Sequence, residues 1–167
     1  MIVLRKAKEE DLAIISDMAE RIWPQVYSDY ISEEQLSYML KLMYNRGELL
    51  SQLQKGHTFL IATETEEDKD VGFAGFSIVD TENQVYKLHK LYVLPETHGK
   101  GVGKILTNEV KNLAVRNGGK FLQLNVNRNN KAKDFYEKAG FKIKETVDVN
   151  IGNGFFMNDY VMELEIS

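Results

Sequence analysis

LYVLPETHGKGVGKIL, residues 91–106, decides how the rest of the chain is read. An apolar run ending in Leu94 and Pro95 leads into Gly99, Gly101 and Gly103, interleaved with Lys100 and Lys104. Helical spacing begins at Val102. Glycine lets a backbone approach a ligand closely and adopt positive φ. A helix N-terminus presents unpaired N–H groups and the positive end of a dipole. The two lysines add charge. Together these features suit an anionic group, most simply a pyrophosphate.

Two common phosphate loops do not fit. A P-loop needs four residues between its glycines and Ser or Thr after the lysine. Here Gly99 and Gly103 enclose three residues, and Ile105 follows Lys104, so no hydroxyl is placed to hold magnesium. In the dinucleotide fingerprint a third glycine is required where Lys104 stands. That loop also opens a strand–helix–strand unit, whereas this one follows a run of strands in mid-chain.

Outward from the loop, the composition is that of a soluble globular chain. Its 167 residues suit one domain, 1–167, with a real core. Hydrophobic residues make up 43% and charged residues 28%. A formal charge of -4 argues against a nucleic-acid partner. There is no cysteine, which removes disulfides, thiolate catalysis and cysteine metal sites. His57, His89 and His98 show no metal-ligand spacing, so no metal is expected. The opening residues lack an apolar signal core and no run reaches membrane-spanning length. These features predict a cytoplasmic chain with no membrane partner.

Periodicity gives the element order. Residues 2–7 read as a strand. Residues 9–23 carry Leu12, Ile15, Met18, Ala19 and Ile22 at helical spacing, with Pro24 expected to end or bend the helix. Ser32 and Gln35 predict a capping box for a second helix, and 47–55 a third. Strands are expected at 57–63, 71–79 and 85–94, the first two joined by the acidic turn 64–70. Residues 102–117 form an amphipathic helix with Val102, Ile105, Leu106, Val110, Leu113 and Ala114 on one face. A strand at 121–126, a helix at 130–139 and a hairpin of 142–149 with 155–166 around IGNG complete the chain. The fold class is α/β, or α+β layered: a mixed sheet with helices on its faces. The middle meander should be antiparallel, and the strand–helix–strand unit around the glycine loop parallel.

A second segment, NRNNKAKDFYEKAGF, places Asn129, Ala132, Phe135, Tyr136, Gly140 and Phe141 in order. The two segments together resemble the GNAT N-acetyltransferase superfamily. Its acetyl-CoA loop has an apolar-x-Val-x-Pro strand end, then Gln/Arg-x-x-Gly-x-Gly/Ala. Its later motif reads Asn-x-x-Ala-x-x-apolar-Tyr-x-x-x-Gly-Phe. His98 departs from the pattern, standing where the family has Gln or Arg. The order of elements matches over nearly the whole chain, and the layout is most similar to bacterial enzymes acting on polyamines and related amines.

The resemblance implies a mostly antiparallel central sheet of about seven strands flanked by helices. It implies acetyl transfer from acetyl-CoA to a primary amine by direct attack in a ternary complex. The amides of Gly99, Lys100, Gly101, Val102, Gly103 and Lys104 would face the pyrophosphate, with the His98 side chain beside them. The strand edge at Leu91, Tyr92 and Val93 would pair with the pantetheine arm, provided this strand and 121–126 diverge at one end. Asn129 would bond the same arm, and Lys131 or Lys133 would touch phosphate, though each lysine taken singly reads better as part of a solvated helix face. Helical spacing alone makes Tyr136 a core tyrosine; the motif makes it the acid for the departing thiolate. In several members a Glu on the strand before the loop is the base, and His89 stands near that place. It is equally readable as a histidine on an exposed strand face. Tyr27 and Tyr30 suit an ammonium group, though tyrosines also simply pack. Three questions stay open: whether the acceptor is a small amine, a protein N-terminus, a lysine or an amino acid; whether the module is catalytic; and whether it forms a homodimer.

Overall fold

The computed structural model describes all residues, Met1–Ser167. Seven strands form one sheet in the order β1-β2-β3-β4-β5-β7-β6. In chain order these are β1 Ile2–Lys6, β2 Thr58–Glu64, β3 Lys69–Asp80, β4 Val85–Val93, β5 Phe121–Asn127, β6 Lys142–Gly152 and β7 Phe155–Glu165. The helices are α1 Leu12–Tyr27, α2 Glu33–Tyr44, α3 Arg46–Gln54, α4 Val102–Arg116 and α5 Ala132–Lys138. β1 with β2, β2 with β3, β5 with β7 and β6 with β7 are antiparallel, and β4 with β5 is parallel. The mixed, layered sheet expected from the sequence is the one observed.

The chain divides into two compact units. The first comprises Met1–Ser77 and Lys90–Val110, the second Ile78–His89 and Lys111–Ser167. In the first, the predicted stripe of α1 is buried throughout: Leu12, Ile15, Met18, Ala19 and Ile22. Pro24 does not end this helix, which runs on to Tyr27. A proline removes one N–H and so one helical bond. It falls within the last turn here, where the amide of Ser28 still bonds the Pro24 carbonyl at 3.2 Å. The Ser32 side chain caps α2 by accepting from the Gln35 amide at 3.1 Å.

In the second unit, β6 and β7 form the predicted hairpin. Asn153 at φ 54° and Gly154 at φ 79° make a two-residue turn with both central residues left-handed, which matches the twist of paired strands. Two predicted apolar positions face outward: Ile105 on α4 is 37% exposed and Phe135 on α5 is 36% exposed. On α5 only Tyr136 is buried. At seven residues the helix has a single inward position, so Ala132 and Phe135 do not join Tyr136 in a buried stripe.

Candidate active site

In the first unit the glycine loop is built from the strand end outward. The amide of Leu94 bonds the Val71 carbonyl at 2.8 Å, tying the end of β4 to β3. The Thr97 amide and hydroxyl both bond the Leu94 carbonyl, at 2.9 and 2.7 Å. Pro95 opens this short turn, where a missing N–H is harmless. Gly99 at φ 90° and Gly101 at φ 74° then reverse the chain into α4, a conformation that only glycine adopts without strain.

The first helical bond of α4 runs from the Ile105 amide to the Gly101 carbonyl at 3.0 Å. The amides of Val102, Gly103 and Lys104 precede it and have no carbonyl partner within the helix. His98, Gly99, Lys100, Gly101 and Lys104 are exposed. A Cβ built on Gly99 or Gly101 would meet nothing within 4 Å. The amides of His98 and Lys100 are spent on the Pro95 and Thr97 carbonyls, at 3.1 and 3.3 Å, so the open donors of the cradle are those at the positive start of α4, with the Lys100 and Lys104 side chains exposed beside them. Pyrophosphate fits this donor set. Gly72 on β3 fixes the cradle from beneath: its Cβ would lie 3.0 Å from the Tyr92 carbonyl oxygen and 3.3 Å from Val102.

Behind β4 lies an aromatic cluster. Trp23 stands 4.9 Å from Tyr27, 5.3 Å from Tyr44 and 5.5 Å from Tyr92, centroid to centroid. The Tyr27 and Tyr92 hydroxyls share a hydrogen bond of 2.7 Å. Tyr27 is buried, and the half-buried Tyr30 packs edge-on against it at 5.7 Å. Leu91, Tyr92 and Val93 are half-buried.

Lys90 was not singled out from the sequence, yet it is 8% exposed. Its Nζ donates to Gln52 Oε1 at 2.9 Å and lies 5.4 Å from the Tyr44 ring and 5.7 Å from the Phe59 ring. Gln52 in turn donates to Glu48 at 2.9 Å. Burial pulls the Lys90 ammonium down from 10.5 to about 8, against the pull of Glu48. His57 is lowered too, first by burial and then by the Lys90 charge.

In the second unit the parallel ladder runs from Val85 opposite Phe121 to Leu88 opposite Leu124, and stops. β4 continues to Val93 and β5 to Asn127 beyond that last pair. His89 is the first β4 residue past it and is half-buried. The exposed Asn129 follows β5 in a turn closed by its own amide on Asn127 Oδ1 at 2.9 Å. Lys131 is exposed just before α5.

Tyr136 is 7% exposed, packed edge-on against Phe135 at 5.3 Å and Phe141 at 5.6 Å. Burial alone pushes its phenol well above the usual range. It therefore stays protonated at neutral pH, a hydrogen-bond donor held in an apolar setting. No group of three or more His, Cys, Asp or Glu side chains assembles as a metal site. No helix is long and apolar enough to cross a membrane.

Comparison with known proteins matches this geometry. Residues 26–164 match the family described as "Acetyltransferase (GNAT) domain". The chain belongs to that family and is a GNAT N-acetyltransferase. It is 28% identical over 149 residues to a spermidine N(1)-acetyltransferase of Thermoplasma acidophilum, covering 87% of this chain and 91% of the relative. The crystal structure of PaiA N-acetyltransferase from Thermoplasma acidophilum in complex with coenzyme A superposes with a TM-score of 0.82 at 27% identity, covering 99% of each chain. A GCN5-related N-acetyltransferase from Rhodopseudomonas palustris superposes at 0.81 and 26% identity, covering 98% of this chain and 94% of the other.

Proposed function

We propose that this enzyme transfers the acetyl group of acetyl-CoA to a primary amine of a small, polyamine-like molecule, by direct attack in a ternary complex. The observation that carries this reading is the cradle at 99–104: unclaimed helix-start amides, two left-handed glycines and open space where their side chains would be. It fits the pyrophosphate of the cosubstrate, and a relative of the same fold is known with coenzyme A. The amine acceptor follows from the kinship with a spermidine acetyltransferase.

In this reading His98, Gly99, Lys100, Gly101, Val102, Gly103 and Lys104 hold the pyrophosphate, and the edge at Leu91, Tyr92 and Val93 pairs with the pantetheine arm. Asn129 bonds that arm, and Lys131 neutralises phosphate. Tyr27 and Tyr30 contribute to the acceptor's surroundings. The amine nitrogen attacks the thioester carbonyl, the C–S bond breaks, and the sulfur leaves as thiolate. Tyr136 meets that charge with its phenolic proton, and regains one from the second proton that the acylated nitrogen gives up, directly or through water. His89 takes the proton that the ammonium must lose, directly or through water. With no cysteine in the chain, no thioester-linked acetyl-enzyme forms. Neither a cytoplasmic setting nor a homodimer is needed for this chemistry.

The test is an acceptor screen reading free CoA release, with spermidine, diamines, amino acids and peptides. Spermidine and diamines are expected to be the best acceptors. A preference for peptides or amino acids would move the reading to those substrates, and release with none would point to a CoA-binding module without transfer.

A further inference from the structure

We propose that the carboxylate of Asp159 receives the ammonium group of the acceptor, and that Lys87 is the built-in cation that competes with it. This rests on the amine-acetylating function above.

Asp159 lies on β7 opposite Asn127 in the antiparallel ladder. It is 5% exposed, and its Oδ1 is buried with no hydrogen-bond partner. Its Oδ2 takes one long bond, 3.4 Å, from Asn125 Nδ2. A buried carboxylate so poorly served is costly, and folds normally satisfy such groups.

The surrounding cations leave it unpaired. Arg128 is bound to Asp148 on β6, and only its charge, without a hydrogen bond, favours the ionised Asp159. Lys87 lies opposite Gln123 on β4, on the face that Asn125, Asn127 and Asp159 share by strand alternation. Lys87 and Asp159 feel one another, since each favours the other's charged form, but burial opposes both charges and no ion pair closes between them. Gln123 is occupied by Glu163 at 2.6 Å. The open oxygen is thus the one strong acceptor in this patch without a donor.

An alkylammonium supplies that donor. It brings three N–H groups and a positive charge to a desolvated carboxylate, where a charge-assisted bond is strongest. The position also suits the reaction. Asn125, Val126 and Asn127 are the residues of β5 beyond its last pair with β4, and Asn127 leads directly into the turn that carries Asn129. No pattern in the sequence marks this group. A single aspartate in an alternating strand looks solvated until the register buries it.

The test is steady-state kinetics of Asp159→Asn and Lys87→Met with the best amine of the screen. Asp159→Asn should raise KM for the amine at least tenfold, hold kcat within threefold and leave acetyl-CoA affinity unchanged. Lys87→Met should lower KM for the amine. An unchanged KM in Asp159→Asn, with acetyl-CoA still bound, overturns the proposal and makes Asp159 a structural carboxylate. If Asp159→Asn does not fold, Lys87→Met decides: a lower KM supports the proposal and an unchanged or higher one overturns it. Failure of the unaltered enzyme to acetylate any amine is a different result, and overturns the function reading on which the proposal stands.

Discussion

Leu88 faces Leu124 in the last pair of the β4–β5 ladder, and both side chains are buried, at 4% and 1% exposure. The pair closes the apolar seam of the parallel ladder. In the proposed function the β4 backbone past Leu88 pairs with a ligand that has amides of its own, as a pantetheine arm has. β4 also carries the chain into the turn at Pro95 and on to the glycine loop.

The cradle yields the first prediction. Gly101→Val places a β-branched side chain at φ 74°, a conformation that costs on the order of 1–2 kcal/mol for a residue with a Cβ. The added Cβ would meet nothing within 4 Å, so the fold should survive. Acetyl-CoA affinity by calorimetry should fall at least about tenfold, the equivalent of about 1.4 kcal/mol. Unchanged affinity would remove the loop from the cosubstrate site.

Tyr136→Phe removes one hydroxyl from a packed ring and keeps the contacts with Phe135 and Phe141. Thermal stability should hold within about 1 kcal/mol. Turnover should drop roughly a hundredfold, the lower range for loss of a proton donor, with acetyl-CoA affinity nearly unchanged. Equal turnover would return Tyr136 to the core.

His89→Ala addresses the base. If His89 accepts the amine proton, the acidic limb of the kcat/KM profile near the histidine range should disappear or shift in the variant. An acidic limb unchanged in position and slope would assign that limb to another group.

Lys90 carries a pH signature in stability rather than rate. Its folded pKa, about 8, lies below the unfolded value of 10.5. Below the folded pKa both states hold the proton, and the folded state bears the full cost of a buried cation, about 3 kcal/mol. Across the window from about 8 to 10.5 the unfolded chain binds the proton that the folded chain has lost, so stability rises with pH. Relative to Lys90→Met, the unaltered enzyme should gain on the order of 2 kcal/mol in urea unfolding between about pH 7 and about pH 9.5. Glu48, His57 and Tyr44, the charged or titratable groups beside Lys90, stay in both proteins, so parallel curves would show that Lys90 is not desolvated.

What could be read in advance follows a physical division. Val102, Leu106 and Val110 repeat at helical spacing, and Asn153-Gly154 demands one kind of turn; both signals are local and both elements form. Pro24 misled because its effect depends on how close it lies to a helix end, which packing decides. Lys90 and Asp159 were invisible for a different reason. In a strand each looks like an ordinary outward polar residue. Only the arrival of Tyr44, Phe59 and Gln52 around one, and of Asn127 opposite the other, removes them from water. Those are contacts between distant parts of the chain, and spacing does not encode them. His98, the departure from the family pattern, has an exposed side chain beside the loop.

The most direct test of the central claim is a single-turnover reaction of the enzyme with acetyl-labelled acetyl-CoA and a diamine, followed by separation of protein from small molecules. Direct transfer predicts that the label moves to the amine, that free CoA appears in equal amount, and that none is found on the protein. Label bound covalently to the protein as an intermediate, or an amine left unacetylated while acetyl-CoA is bound, would contradict the account.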